Sequence, residues 1–313
     1  MRAYLLRRLL LLVPLVWGVV SIVFLTIHLL PGDPAAVLLG PFATSAREQG
    51  LRHMWGLDRP LVAQYVFYLA NVVTGRFGTS FLTGQPAGYQ ILTLLPHTVI
   101  LGSAAILISM VFGIPLGTLA AVRRGSAIDH ASLLASLLLA SAPNFLVGFV
   151  LLLVFAGKLG WLPAIGNGTL GQVGSVASHT ILPAFALSAG LLAYLTRMTR
   201  TSLLSVLRDD FVRTARAKGL GSRIVIFKHA MRNALLPVIS ILGVNAGEVV
   251  GGTVVIETVF ARPGIGSLLV NSVTGRDYVQ VQACVIVLAV SFVIINLVTD
   301  LSYGFIDPRI QYQ

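Results

Sequence analysis

The sequence predicts an all-α protein whose helices cross a membrane several times, and three observations point to this class. Hydrophobic residues make up 56% of the 313 residues, whereas charged residues make up only 11%. The mean hydropathy is +0.88, and such a composition lies far outside that of ordinary soluble domains. Apolar segments recur that are long enough, at about 20 residues, to cross a bilayer as helices.

Six apolar segments are predicted as transmembrane helices. The first follows Arg7 and Arg8, and basic residues beside a span are expected on its cytoplasmic side. Its apolar run is too long for the central region of a cleaved signal peptide, so we expect it to be retained. The six predicted spans are residues 9–30, 98–122, 131–156, 176–195, 235–260 and 279–303.

These spans divide the chain into three regions. Residues 1–30 form an N-terminal transmembrane helix, residues 31–97 form an external segment with amphipathic helices, and residues 98–313 form a five-helix core. Arginines cluster in the segments that follow the second and fourth spans, whereas the external segments contain charges of both signs. This asymmetry predicts that both termini lie in the cytoplasm.

The polar segment 199–236, between the fourth and fifth spans, is the strongest candidate for a functional surface. Asp209 and Asp210 suit the start of a helix, where acidic side chains complement the helix dipole. Gly219 stands where a helix commonly ends in a glycine with positive φ, and helical spacing resumes from Ile224 to Leu235. We therefore predict a cytoplasmic helix–glycine–helix unit that offers a surface to a partner; an ordinary basic loop is the alternative.

Within this segment, residues 213–220 read Arg-Thr-Ala-Arg-Ala-Lys-Gly-Leu, and residues 235–237 read Leu-Leu-Pro. This pattern resembles the signature loop of the membrane subunits of bacterial ABC importers, in the form used by the peptide-transporting branch. Further motifs of that family follow in the same order along the chain. They are Pro31-Gly32-Asp33-Pro34-Ala35, Phe77-Gly78-Thr79-Ser80, Glu257-Thr258-Val259-Phe260, Arg262-Pro263-Gly264-Ile265-Gly266, Arg276-Asp277-Tyr278 and Asp307-Pro308-Arg309.

The resemblance implies the type I ABC importer permease fold and the role of the first of two permease subunits in a dipeptide or oligopeptide importer. The expected partners are a second homologous permease, ATP-binding subunits, an extracytoplasmic peptide-binding protein, the lipid bilayer and the peptide itself. The polar segment is then expected to couple the chain to the ATP-binding subunits. The residues expected to do so are Asp210, Arg213, Thr214, Ala215, Arg216, Ala217, Lys218 and Gly219.

The sequence contains no motif that predicts catalysis or a cofactor. Its three lysines, Lys158, Lys218 and Lys228, are not followed by Ser or Thr as a phosphate-binding loop requires. We therefore expect no ATPase site in this chain, with ATP and Mg²⁺ bound by partner subunits. The scattered histidines and the single Cys284 give no metal-ligand spacing. The net charge of +11 is explained by cytoplasmic loops near anionic lipid rather than by nucleic acid.

The fifth predicted span supplies the candidate translocation path: Gly243, Gly247, Glu248, Gly251 and Glu257. Glycines four residues apart permit close helix packing, either against a second permease or against another helix of this chain. A charge near the middle of a span costs about 3 kcal/mol, so Glu248 is expected to face protein or water. It either meets a peptide amine or water in a cavity, or is a protonated carboxyl bonded to a neighbouring helix.

The sequence thus predicts a permease subunit of an ATP-driven peptide importer in a bacterial inner membrane. One alternative is a secondary transporter, whose expected inverted repeats are not evident between the two halves of the chain. Another is the same type of permease carrying nickel or glutathione. A membrane hydrolase is the weakest alternative, because no Gly-x-Ser-x-Gly motif is present.

Overall fold

The computed structural model describes residues 2–29, 44–55, 58–169 and 171–306. Within these ranges the chain is helical, and its only β-type pairing is an isolated bridge between Thr79 and Pro86. This confirms the predicted all-α class. The helices are α1 (Arg2–Leu29), α2 (Ser45–Trp55), α3 (Leu61–Val73), α4 (Ala87–Val122), α5 (Ala127–Ser141), α6 (Asn144–Lys158), α7 (Val173–Val206), α8 (Asp210–Ala217), α9 (Ser222–Val259), α10 (Ile265–Thr274) and α11 (Tyr278–Ile306).

Four helices of the described chain, α4, α7, α9 and α11, are long and apolar enough to cross a membrane. The pair α5 and α6 provides a fifth candidate span, and α1 occupies the position of the first predicted span. Two helices extend well beyond the predicted bounds: α4 begins at Ala87 rather than at residue 98, and α7 continues to Val206. The motifs at 31–35 and 307–309 lie outside the described residues.

The third predicted span is broken rather than continuous. The axes of α5 and α6 differ by 109°, and the break falls at Pro143, which has no N–H to continue the helix. A bidentate ion pair joins Asp129 at the start of α5 to Arg200 near the end of α7. Beyond α6, the Gly166 N–H donates to the Phe260 carbonyl, just past the end of α9, at 3.2 Å. Helices α7 and α9 run in opposite directions, so the Asp129–Arg200 contact and the Gly166–Phe260 contact lie at opposite ends of the bundle. The chain from α5 to the end of α6 therefore crosses the bundle.

The fifth span begins earlier than expected. Helix α9 is continuous over 38 residues from Ser222 to Val259, so it includes the second helix of the predicted helix–glycine–helix unit. Residues Val225–Ala230 are wound as a π-helix, and Pro237 lies within the helix, as membrane helices tolerate. The unit therefore consists of α8, the turn at Gly219 and the first turns of a long helix, so its second helix is not separate from the fifth span.

Helix α7 forms the centre of the bundle. It packs along α4, where Gly117 permits close approach, because an added Cβ would collide with the carbonyl oxygen of Thr196. The main hydrophobic core then joins α4, α7 and α9, and its largest buried side chains are Leu101, Leu182, Leu187, Leu191, Leu195, Ile256 and Phe260. We call the end of the bundle that carries α8 the basic end and the opposite end the far end.

Candidate functional site

Helix α8 is a single short helix with a defined start and end. Asp209, in extended conformation, occupies the N-cap position, and Thr214 Oγ1 donates to the Asp210 carbonyl at 2.9 Å. After Ala217 the chain turns at Gly219, whose φ is +79° and whose N–H donates to the Arg216 carbonyl at 2.9 Å. The predicted glycine turn is confirmed, since this left-handed conformation favours glycine.

One face of α8 packs onto the transmembrane helices. Val212 and Ala215, three residues apart and so on one face, are buried in a small hydrophobic cluster at the basic end. We call this the hinge cluster; its buried members are Ala121, Leu203, Val212, Ala215, Val225, Ala230, Met231 and Ala234. These residues belong to α4, α7, α8 and α9, so α8 packs into a cluster that it shares with three spans.

The other face of α8 is exposed and basic. Seven of the eight residues predicted for coupling lie on it or at the turn: Asp210, Arg213, Thr214, Arg216, Ala217, Lys218 and Gly219. The eighth, Ala215, was expected on the docking face but is buried, because the helical repeat places it beside Val212. Asp210 and Arg213 form an ion pair of 3.5 Å whose side chains are 94% and 74% exposed, so this pair contributes little stability.

A buried ion pair beside the hinge cluster was not predicted. Asp129 accepts from Arg200 Nε at 2.5 Å and from Arg200 Nη2 at 2.8 Å, and the Gly125 N–H donates to the same carboxylate at 2.9 Å. Ser126 Oγ accepts from the Asp129 N–H at 3.4 Å. The Ser-x-x-Asp spacing at 126–129 was the available signal, since it is typical of a helix start. The pair fixes the start of α5 to α7, just before the segment that leads to α8.

The glycines of α9 face different neighbours. An added Cβ at Gly247 would collide with Phe292 of α11, and one at Gly252 would collide with Leu187 of α7. Gly243 is buried as well. By contrast, Gly251 is exposed and has no neighbouring atom within 4 Å of an added Cβ. Packing within the same chain therefore accounts for Gly247 and Gly252, but not for Gly251.

An exposed stripe runs along the membrane-spanning part of α9. Its residues recur at helical spacing and are Val244, Glu248, Gly251, Val255 and Thr258. No helix of the described chain covers this stripe. A face that contacts only lipid would be apolar, whereas this stripe carries a carboxyl group near the middle of the span. The stripe therefore suits contact with another protein subunit or with water.

Glu257 lies on a different face and is fully buried. Its carboxylate accepts from Thr98 Oγ1 at 2.7 Å and from the Ser267 N–H at 3.0 Å, while Thr98 Oγ1 accepts from the Ile265 N–H at 2.9 Å. An added Cβ at Gly264 would occupy the position of this carboxylate. Glu257 thus joins α4, α9 and the start of α10 at the far end, and its place in a translocation path stays a prediction.

A second carboxylate joins two of the sequence motifs at the far end. Asp277 is buried; it accepts from Ser80 Oγ at 2.6 Å, from the Leu82 N–H at 3.2 Å and from the Gln280 N–H at 3.1 Å. The motifs at 77–80 and 276–278, which are far apart in sequence, therefore meet here. This contact fixes the segment before α4 to the start of α11.

These features are typical of the membrane component of a transporter: several spans, a short basic helix packed at one end of them, and a sequence without a nucleotide-binding motif. Residues 113–312 match the family described as binding-protein-dependent transport system inner membrane component. Residues 1–102 match the N-terminal part of such membrane components. The chain belongs to this family and is a multi-pass inner membrane protein. Membership of this family decides against the secondary transporter that the sequence left open.

Relatives of known role match the chain from end to end. The di/tripeptide transport system permease protein DppB of Pseudomonas aeruginosa (strain UCBPP-PA14) is 38% identical, with all of both chains aligned. The oligopeptide transport system permease protein AppB of Bacillus subtilis (strain 168) is 39% identical over all of both chains. The glutathione transport system permease protein GsiC of Escherichia coli (strain K12) is 39% identical over 99% of each chain.

The fold also resembles a solved ABC transporter. A chain of the MetNI methionine ABC transporter, in an inward-facing conformation, superposes with a TM-score of 0.54. The match covers 70% of this chain and 97% of the other, at 18% sequence identity. At this identity the likeness concerns the fold alone, and it confirms the predicted ABC importer permease fold.

Proposed function

We propose that this chain is one of two permease subunits of an ATP-driven importer of dipeptides or oligopeptides. The observation that carries the proposal is the exposed basic face of α8, attached through the hinge cluster to three spans of a chain without a nucleotide-binding motif. The full-length relatives named for di/tripeptide, oligopeptide and glutathione transport support a peptide as the substrate.

The two ends and one side of the bundle would then meet different partners. ATP-binding subunits dock on the exposed face of α8, which places the basic end and both termini in the cytoplasm. The binding protein delivers peptide at the far end. The exposed stripe of α9 faces the second permease across the translocation path, and Glu248 and Gly251 line it.

Energy enters this chain mechanically. When ATP-binding subunits move, α8 moves with them, and the hinge cluster passes the movement to α4, α7 and α9. Packed helices have a small number of discrete arrangements, so a small displacement at the docking surface can reorient whole spans. The Asp129–Arg200 ion pair extends this connection to α5 and hence to the broken third span.

Reconstitution in vesicles tests the proposal. The chain is purified with its second permease, ATP-binding subunits and binding protein, and the uptake of a labelled dipeptide, a pentapeptide, glutathione and Ni²⁺ is compared. We expect ATP-dependent uptake of a peptide that requires the binding protein. Uptake driven by an ion gradient without ATP, or uptake of Ni²⁺ alone, would contradict the proposal.

A further inference from the structure

Glu248 differs from the buried acids of this chain in having no partner. Asp129, Glu257 and Asp277 each accept at least two hydrogen bonds from other segments. Among the described residues, none donates a hydrogen bond to Glu248 or pairs with it as a cation. Yet Glu248 lies near the middle of α9, more than ten residues from the end of that helix.

Glu248 opens into a cleft between α1, α9 and α11. The cleft has a volume of about 470 Å³, which lies within the range of about 300–1,000 Å³ typical of small-molecule sites. It lies in the half of the bundle nearer the basic end, because it reaches the last turns of the membrane-spanning part of α11. Besides Glu248, its polar lining consists of Asn296 and Thr299, and apolar side chains such as Leu12, Leu15 and Phe292 form its walls.

The cleft contains no cation of its own. Neither lysine nor arginine is among its described lining residues, so this lining supplies no counter-ion to the Glu248 carboxylate. An unpaired charge at mid-membrane is unfavourable, and such groups face a cavity or pair with an opposite charge. Among the described residues that line the cleft, none serves as the partner of Glu248.

We propose that the carboxylate of Glu248 binds the terminal ammonium group of the transported peptide in this cleft. This inference rests on the proposed function and names the contact by which the path recognises its substrate. A free amino terminus is the one cationic group that peptides of every sequence share. Asn296 and Thr299 offer an amide and a hydroxyl to the peptide backbone, and the apolar walls accept side chains of varied shape. An ion pair with a cation of the second permease is the rival explanation.

Two variants and one control test the site in vesicles that contain the complete transporter. Glu248→Gln keeps the shape of the side chain but removes its charge, and Glu248→Asp keeps the charge. We expect Glu248→Gln to lower the initial rate of dipeptide uptake about tenfold. This corresponds to the loss of one charge-assisted contact worth about 1.4 kcal/mol. Glu248→Asp should retain most of the rate. ATP hydrolysis stimulated by the loaded binding protein should stay within about twofold of wild type. Asp58→Asn, the same loss of charge at an exposed carboxylate that pairs with His53 outside the stripe, should leave uptake unchanged.

A second readout identifies the ligand directly. A carbodiimide that reacts with membrane carboxyl groups is applied to the solubilised complex, and modification of Glu248 is measured by mass spectrometry. A dipeptide should protect Glu248, whereas the same dipeptide with an acetylated amino terminus should not. Wild-type uptake by Glu248→Gln, equal protection by both peptides, or loss of the second permease from Glu248→Gln would overturn the inference. Peptide uptake by the wild-type vesicles tests the proposed function separately.

Discussion

At the level of single residues, three buried carboxylates hold distant segments of this chain together. Asp129 joins α5 to α7, Glu257 joins α4 to the α9–α10 turn, and Asp277 joins the segment before α4 to α11. Each accepts several hydrogen bonds, as a buried carboxylate must if its desolvation is to be offset. They lie at the two ends of the bundle, where each of them fixes the end of a helix.

Removal of the charge on Asp129 tests the strongest of these contacts. Asp129→Asn preserves the shape and can still accept from Gly125, but it leaves the Arg200 guanidinium without its counter-ion. The Arg200 side chain is 19% exposed, so the cost should lie between about 1 kcal/mol for an exposed pair and about 3 kcal/mol for a buried one. We therefore expect a measurable fall in the melting temperature of the purified complex. Thermal denaturation followed by size-exclusion chromatography measures it.

Two further variants separate the buried pair from a general effect of charge. Asp210→Asn removes a carboxylate whose ion pair is almost fully exposed, and it should change the melting temperature very little. In the double variant Asp129→Asn with Arg200→Gln, no unpaired charge remains, so part of the lost stability should return. Equal melting temperatures for Asp129→Asn and wild type would show that the ion pair contributes nothing.

The sequence predicted the role of a residue where the local backbone conformation decides that role. It did not predict the role where contacts between distant segments decide it. Gly219 was correctly assigned a positive φ because its place after a helix is a local property. Arg200 was interpreted only as a cytoplasmic charge, since its partner lies 71 residues away in sequence. The burial of Ala215 was not predicted, because an eight-residue helix offers few apolar positions from which to infer its inner side.

At the level of elements, α8 depends on its surroundings. A helix of eight residues is marginal on its own in water, so the burial of Val212 and Ala215 in the hinge cluster supplies its stability. Its start and end followed from Asp209 and Gly219. The continuity of α9 and the 109° break in the third span could not be predicted from the sequence. Pro237 and Pro143 both lie within predicted apolar segments, and only packing decides whether a proline is accommodated or breaks the helix.

The turn between α8 and α9 offers a matched pair of glycine substitutions. Gly219 has φ +79° with open space around it, so Gly219→Val is strained by its backbone conformation rather than by collision. Gly221 also has open space, but its φ is −61°, which any residue adopts. We expect Gly219→Val to change the orientation of α8 relative to α9. Peptide uptake and the ATP hydrolysis stimulated by the binding protein should both fall at least fivefold. Gly221→Val should behave as wild type.

The same assays show whether the turn acts in coupling or only in assembly. Both variants should reach the membrane and retain the second permease, because neither changes a residue of the transmembrane spans. Full uptake and stimulation by Gly219→Val would remove the turn from the coupling mechanism. An equal loss in both variants would show that side-chain bulk, and not backbone conformation, is responsible.

At the level of the whole molecule, the sequence predicted where the spans lie but not what their outer faces contact. Large apolar residues are exposed along the bundle, including Val99, Leu107 and Val111 on one face of α4. Lipid tails and a neighbouring helix are equally apolar, so hydropathy cannot separate a lipid-facing surface from a subunit interface. The polar residues of the α9 stripe indicate that this surface does not face lipid alone. They could be recognised as one stripe only after the buried and exposed faces of α9 were known.

The orientation of the bundle gives the last prediction. Single cysteines are introduced at Ser45, Ala164 and Ser222, all exposed, in a Cys284→Ser background that keeps an acceptor for Gln280. Ala164 is chosen over the nearby Gly168, whose φ of +73° and contact with Ser175 exclude a side chain. We expect a membrane-impermeant thiol reagent to label the first two in intact cells.

Ser222→Cys should react with the same reagent only after the membrane is opened. It lies at the start of α9, next to the docking face of α8, and the cluster of arginines at this end favours the cytoplasm. Labelling of Ser222→Cys in intact cells would place α8 outside, where no ATP-binding subunit could reach it. The coupling role of α8 and the assignment of the far end to the binding protein would then both be wrong.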